Sequence, residues 1–186
     1  MTSPETTRTV TVLVGSLRAD SVNRQLAETL IRLAPEGVEL KIAENLDQIP
    51  FYNEDLDGDS APAAAKALRE QVAQSDRVLV VTPEYNGTIP AVINNAIDWL
   101  SRPYGAGAVT GKPFGVIGVT PTPYGGKWAH EDTRRSAKIA GAHVVESVDF
   151  SQSSLEVDVL TDEQVLANLR TVLGTLVEAE PALSAA

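Results

Sequence analysis

The sequence predicts an α/β protein: a five-stranded parallel sheet with helices on both faces, built as one domain. Three observations predict it. Runs rich in β-branched residues alternate five times with segments whose apolar residues recur at helical spacing. The third and fourth runs are continuously apolar while the second alternates, as central and near-edge strands do. Polar, glycine-containing stretches follow the first and third runs, where open parallel sheets carry their ligand loops.

The elements follow in order. "RTVTVLV" (8–14) is a strand, and a helix begins at about Ser21 with Val22, Leu26, Leu30 and Leu33 on one face. "VELKIA" (38–43) is the second strand. A loop rich in Pro, Asn, Asp and Gly (45–60) precedes "APAAAKALREQVAQS", where Pro62 stands near a first helical position before strong helix formers. "RVLVVT" (77–82) is the third strand and a helix runs from about Pro90 to Ser101. "PFGVIGVT" (113–120), a helix from about Gly126 to Ile139, and "AHVVESVDF" (142–150) come next. A closing helix starts at Thr161, with Asp162 and Glu163 favourably placed in its first turn. Residues 1–7 and 181–186 are expected to be frayed tails. Strand order 2-1-3-4-5, the flavodoxin-like arrangement, puts the topological switch point between strands one and three.

With 25 Asp and Glu against 15 Lys and Arg, the formal charge is -10, a field that repels nucleic-acid phosphates and anionic membranes. Zero cysteines removes disulfides, thiolate nucleophiles and Cys-ligated metals together. No stretch approaches the ~20 apolar residues that span a bilayer, and "MTSPETTRTV" lacks the basic and apolar regions of a leader. A cytoplasmic location is expected.

The loop "GSLRADSVNR" gathers hydroxyls, an amide and Arg18 at the start of a helix, where unpaired backbone N–H groups favour an anion such as a phosphomonoester. Ser21 or Asp20 can equally be a simple helix cap with Arg18 solvated. The dinucleotide pattern G-x-G-x-x-G and the P-loop pattern are both missing. In "PEYNGTIP", Pro83 and Gly87 bracket a tight turn that can project several backbone groups toward the edge of a flat heteroaromatic ring. Tyr85 could pack near such a ring, while Glu84 either accepts a hydrogen bond or sets the loop's shape.

"GSLRADSVN" and "PEYNGTIPAVINNAIDWLSR" resemble the two signature loops of the NADPH-dependent FMN reductase family, in register across roughly 8–150. The resemblance implies that residues 1–186 are a single flavodoxin-like FMN-binding domain. Ser16, Arg18, Ser21, Val22 and Asn23 would then surround the FMN phosphate, and Pro83, Glu84, Tyr85, Asn86 and Gly87 would border the isoalloxazine. The third loop, "TPTPYGGKW", keeps the family's Gly125–Gly126 pair but has prolines upstream where the family commonly has a serine and glycine; Thr120 and Gly125 are its expected FMN contacts. The family often carries a lysine where this chain has Asn94.

The activity so implied is hydride transfer from NADPH or NADH through bound FMN to a quinone-like, azo, flavin or metal-oxyanion acceptor, in ping-pong order. The cofactor carries such chemistry, so no catalytic side chain or metal is required. Backbone N–H groups of 85–87 are expected to support the flavin's N5 and O4 edge. Arg18, Arg102, Lys112 and Lys127 are the candidate cations for the dinucleotide. A flavodoxin-type electron carrier serving a protein partner is the alternative.

A receiver domain would need aspartates where Gly15–Ser16 and Thr82–Pro83 stand, and the hydrolase and zincin motifs are absent. His130 is expected on an exposed helix face and His143 in a structural role. Asn94 and Asn95 are expected on an exposed face or at a subunit contact, and Trp99 in the core or an interface. Ile93, Ile97 and Leu100 form a core-facing stripe, while the apolar positions around Ile93, Ile97, Trp99 and Leu100 also suggest a subunit contact, in line with the homodimers or homotetramers that the resemblance implies.

Overall fold

A computed structural model describes residues 7–182. The sheet has five parallel strands in the order β2-β1-β3-β4-β5, with β1 at Arg8–Val14, β2 at Val38–Ile42, β3 at Arg77–Val81, β4 at Pro113–Thr120 and β5 at His143–Ser153. Five helices connect and close it: α1 (Val22–Leu33), α2 (Ala63–Gln74), α3 (Ala91–Leu100), α4 (Lys127–Ile139) and α5 (Glu163–Glu178). Both the flavodoxin-like class and the strand order match the expectation.

Strand residues alternate between two cores, because successive side chains of a strand point to opposite faces. Val10, Val12, Val14, Leu79, Val81, Ile117 and Val119 pack under α1 and α5. Leu13, Val78, Val80, Phe114 and Val116 pack under α2, α3 and α4. The central strands β3 and β4 are buried throughout, which is why both read as unbroken apolar runs. Edge strand β5 runs three residues past its expected end, and a bulge between Phe114 and Val116 sets Val148 over Gly115.

The loop 45–60 contains three short 3-10 helices, Leu46–Gln48, Glu54–Leu56 and Gly58–Ser60. Here the expectation for α3 needs correcting. Asn95 is buried: its Oδ1 accepts the Tyr52 N–H at 2.9 Å while its Nδ2 donates to the carbonyls of Ile49 and Pro50. Trp99 adds an indole N–H to the Pro50 carbonyl at 2.9 Å. These bonds tie the loop backbone at 49–52 to α3. Asn94 is half-buried and donates to Asp98.

Ile93, Ile97, Trp99 and Leu100 are all in this chain's own core, so they offer no apolar surface to a second subunit. Within the expected C-terminal tail, the Ala182 N–H donates to the Gly111 carbonyl at 2.9 Å, and just before it the Glu180 carbonyl lies 2.9 Å from His143 Nδ1. The rest of the expected tails, residues 1–6 and 183–186, lies outside the described residues. Among the described residues no helix is long and apolar enough to cross a membrane.

Candidate functional site

Two loops leave adjacent strands at one end of the sheet. Val14 pairs with Val81, and the Gly15 N–H continues the ladder to the Val81 carbonyl at 2.9 Å. A Cβ on Gly15 would stand 2.1 Å from Thr82 Oγ1, so only glycine lets the two exits come this close.

After β1, half-exposed Ser16 and exposed Arg18 line a cavity of about 300 Å³ with Ala43, Glu44 and Asn45. Ser21 is the N-cap of α1, its hydroxyl accepting the Arg24 N–H at 3.2 Å. The amide N–H groups of Val22 and Asn23, in the first turn, have no intrahelical acceptor and carry the positive end of the helix dipole. Asn23 requires a correction: its side chain does not face the anion end. It is buried and exchanges two hydrogen bonds with the Val119 backbone, at 2.9 and 3.0 Å, which ties α1 to β4. Only its backbone N–H remains for an anion.

After β3, Asn86 and Gly87 have φ of 53° and 73°, and Tyr85 and Thr88 exchange backbone bonds across them. This is a two-residue hairpin with both central φ positive, the geometry that favours Asn-Gly. The Tyr85 N–H is thus spent on Thr88, so of the three expected amide donors only Asn86 and Gly87 project from the tip. Tyr85 is 46% exposed, and Pro83 is buried.

Glu84 supplies what sequence reading left open. Its Oε2 accepts the N–H groups of Trp128 and Ala129 at 3.0 and 3.1 Å, capping the first turn of α4. Thr88 Oγ1 donates to Asp132 at 2.6 Å, one turn further along. The hairpin is therefore clipped to α4 at both ends.

The third loop reaches the same corner. Thr120 is buried at the end of β4, with its hydroxyl 2.9 Å from that of Thr122. Gly125, at φ 62°, lies against the β5 backbone, where a Cβ would meet Ser151 C at 2.8 Å. Tyr124 and Trp128, both exposed, have ring centroids 4.8 Å apart. Sequence reading missed this pair, although the spacing of four across a helix start could have revealed it.

His130 overturns its expectation. It is fully buried, with Nδ1 2.7 Å from Ser151 Oγ and Nε2 3.3 Å from the Thr82 carbonyl. Burial pulls its pKa down to about 4.

Two of the four candidate cations also leave the site. Lys112, at the start of β4, donates to the carbonyls of Ser75 and Ala73 at the opposite end of the sheet. Arg102 follows the far end of α3, a helix of about 15 Å. Arg18 and Lys127 stay near the two loops, Lys127 3.9 Å from Glu131. No group of His, Cys, Asp and Glu able to hold a metal occurs among the described residues.

A family model described as NADPH-dependent FMN reductase matches residues 8–155. The chain belongs to the NADPH-dependent FMN reductase family. It is thereby an oxidoreductase, and the family implies FMN and a nicotinamide dinucleotide as its cofactors. A quinone reductase of Pseudomonas putida is 47% identical over 127 residues, 68% of each chain. An NAD(P)H-dependent FMN reductase of Pseudomonas aeruginosa is 34% identical over 142 residues, 76% of each. The solved structure of FerB, a flavoenzyme NAD(P)H:(acceptor) oxidoreductase from Paracoccus denitrificans, superposes with a TM-score of 0.81 at 34% identity, covering 91% of this chain and 95% of FerB. The match to the family model takes in all three loops.

Proposed function

We propose that the chain holds FMN between the β1 and β3 exits and reduces a quinone-like acceptor with electrons from NADPH or NADH. The observation that carries this is the close approach of Gly15 to Thr82, which sets the β1 and β3 exits side by side, so that the α1 N-terminus and the Asn86–Gly87 hairpin follow from neighbouring strands. The residues fit the group. Two first-turn N–H groups, the Ser16 hydroxyl and the Arg18 guanidinium suit a phosphate dianion, while two outward amide donors and an exposed Tyr85 suit a flat polar-edged ring. Bound FMN supplies the two-electron chemistry, accepting a hydride and passing the electrons on.

The chain's own residues bind and orient. Ser21 holds the first turn of α1 open to an anion, and Glu84 holds the hairpin against α4. Asn86 and Gly87 N–H donors favour negative charge on a reduced ring. Arg18 and Lys127 meet the anionic dinucleotide, and the Tyr124–Trp128 pair offers an apolar wall to a flat acceptor. The names of relatives from Pseudomonas putida and from Burkholderia, the latter a 2-hydroxy-1,4-benzoquinone reductase, support a quinone among the other acceptor classes. The same reading includes a homodimer or homotetramer; a monomer mass by light scattering at micromolar concentration contradicts that part.

The test is the visible spectrum of the purified protein and the identity of its released cofactor, followed by rapid mixing with NADPH. Bleaching of bound flavin supports a reductase, and intact colour assigns the chain to the electron carriers instead. Arg18→Ala weakens FMN binding by about tenfold or more, the size of a lost charge-assisted phosphate contact of ~1.5–3 kcal/mol. Unchanged affinity by fluorescence titration removes the phosphate assignment.

A further inference from the structure

Among the described residues His130 is the one fully buried titratable side chain near the candidate site, and nothing in the proposed reaction uses it. The Thr82 carbonyl can only accept, so Nε2 carries the ring proton and donates to it; Nδ1 then accepts from the Ser151 hydroxyl. Space for the ring is cleared by glycine. A Cβ on Gly118 would lie 2.8 Å from Nε2, and one on Gly126 3.1 Å from it. The ring is thus socketed among the exits of β3 and β4, strand β5 and the α4 N-terminus.

We propose that His130 is a positioning residue for the flavin ring: its Nε2–H fixes the Thr82 carbonyl and so sets the direction in which the Asn86–Gly87 hairpin leaves β3. This rests on the flavin reading above. Thr82 is itself fully buried, its N–H paired with the Ile117 carbonyl at 2.9 Å and its hydroxyl with the Pro83 carbonyl at 3.0 Å. His130 is the remaining grip on the peptide that begins the turn. From there α4 holds the segment at three successive points: Thr82 through His130, Glu84 through the Trp128 and Ala129 amides, and Thr88 through Asp132. The first of these is shielded from water, so no solvent molecule can replace it when the donor is lost. The position of the two tip amides is therefore set by α4 as much as by β3.

The experiment compares His130→Leu, which keeps the bulk and removes the donor, with His130→Gln, which restores an N–H. Hydrogen exchange is measured on the FMN-free proteins, and FMN affinity is measured in both redox states. In His130→Leu, exchange at 84–88 rises tenfold or more while the centres of β1 and β3 keep their protection. FMN binding weakens with the reduced form losing about tenfold more than the oxidised form, a fall of about 30 mV in the two-electron midpoint. His130→Gln stays within threefold of the unaltered protein on each measure.

Unaltered exchange and potential in His130→Leu, or equal damage in both variants, overturns the inference. If His130→Leu fails to fold, Ser151→Ala, which leaves the ring but frees Nδ1, decides: a rise of threefold or more in exchange at 84–88 supports it and no rise overturns it. If the exchange results hold while the unaltered protein takes up no FMN, the positioning of the turn stands and the flavin reading falls.

Discussion

Burial lowers the His130 pKa from its usual 6.5 to about 4; the Thr82 carbonyl opposes that shift, Arg134 adds to it and Asp149 opposes it. Between those two values the unfolded chain takes up a proton that the folded ring refuses. Stability from this group is therefore complete above about pH 6.5, declines as pH drops toward 4, and falls by of order 3 kcal/mol across the window. Urea midpoints recorded at pH 7 and pH 4.5 check this: the drop is large for the unaltered protein and distinctly smaller for His130→Gln. Equal drops in the two proteins contradict it. Asp57 behaves with the opposite charge logic: its hydrogen bond from Arg69 holds it at about 2, so its contribution persists above pH 4 and vanishes only in strong acid.

At the scale of elements, the first turn of α4 and the β3 hairpin stabilise one another. Glu84 gives α4 a carboxylate cap where Gly126, the residue at the N-cap position, has no side chain to offer. Glu84→Ala removes the cap and the clip together, with an expected loss of about 1–2 kcal/mol in chemical denaturation. The same variant raises proteolytic nicking at 84–88, and an unchanged nicking rate contradicts the clip. The other long connection is held differently. Asn95 and Trp99 bind the loop at Ile49–Tyr52, and Arg69 joins Asp57 at 2.7 Å and the Trp99 carbonyl at 2.8 Å, so α2 and α3 secure 49–57 from beneath.

Across the whole molecule, a ligand that bridges two loops stabilises the fold that brings them together. With FMN at about 100 times its dissociation constant, linkage gives about 2.7 kcal/mol, which for a chain of this size raises Tm by roughly 5–10 °C. Differential scanning calorimetry with and without FMN checks the figure. Riboflavin, which lacks the phosphate, is expected to give only a small part of it, because the -10 net charge leaves the α1 N-terminus and Arg18 to hold the dianion. An equal shift with riboflavin contradicts the phosphate role of the β1 exit.

Local patterns along the chain determined the elements, their alternation and the two polar loops, while the strand order followed from the flavodoxin-like class. The local patterns are short-range signals: β-branched runs, helical spacing, Pro62 and Asp162 at helix starts, and Asn86–Gly87 at a hairpin tip. Polar residues misled wherever their partners lie far away in sequence. Asn23 meets Val119, Asn95 meets Ile49, and His130 meets Thr82 and Ser151, each across at least 21 residues. A polar side chain reads as exposed until the fold supplies the backbone groups that satisfy it, and only tertiary structure decides which of them are buried and which stay free for a ligand.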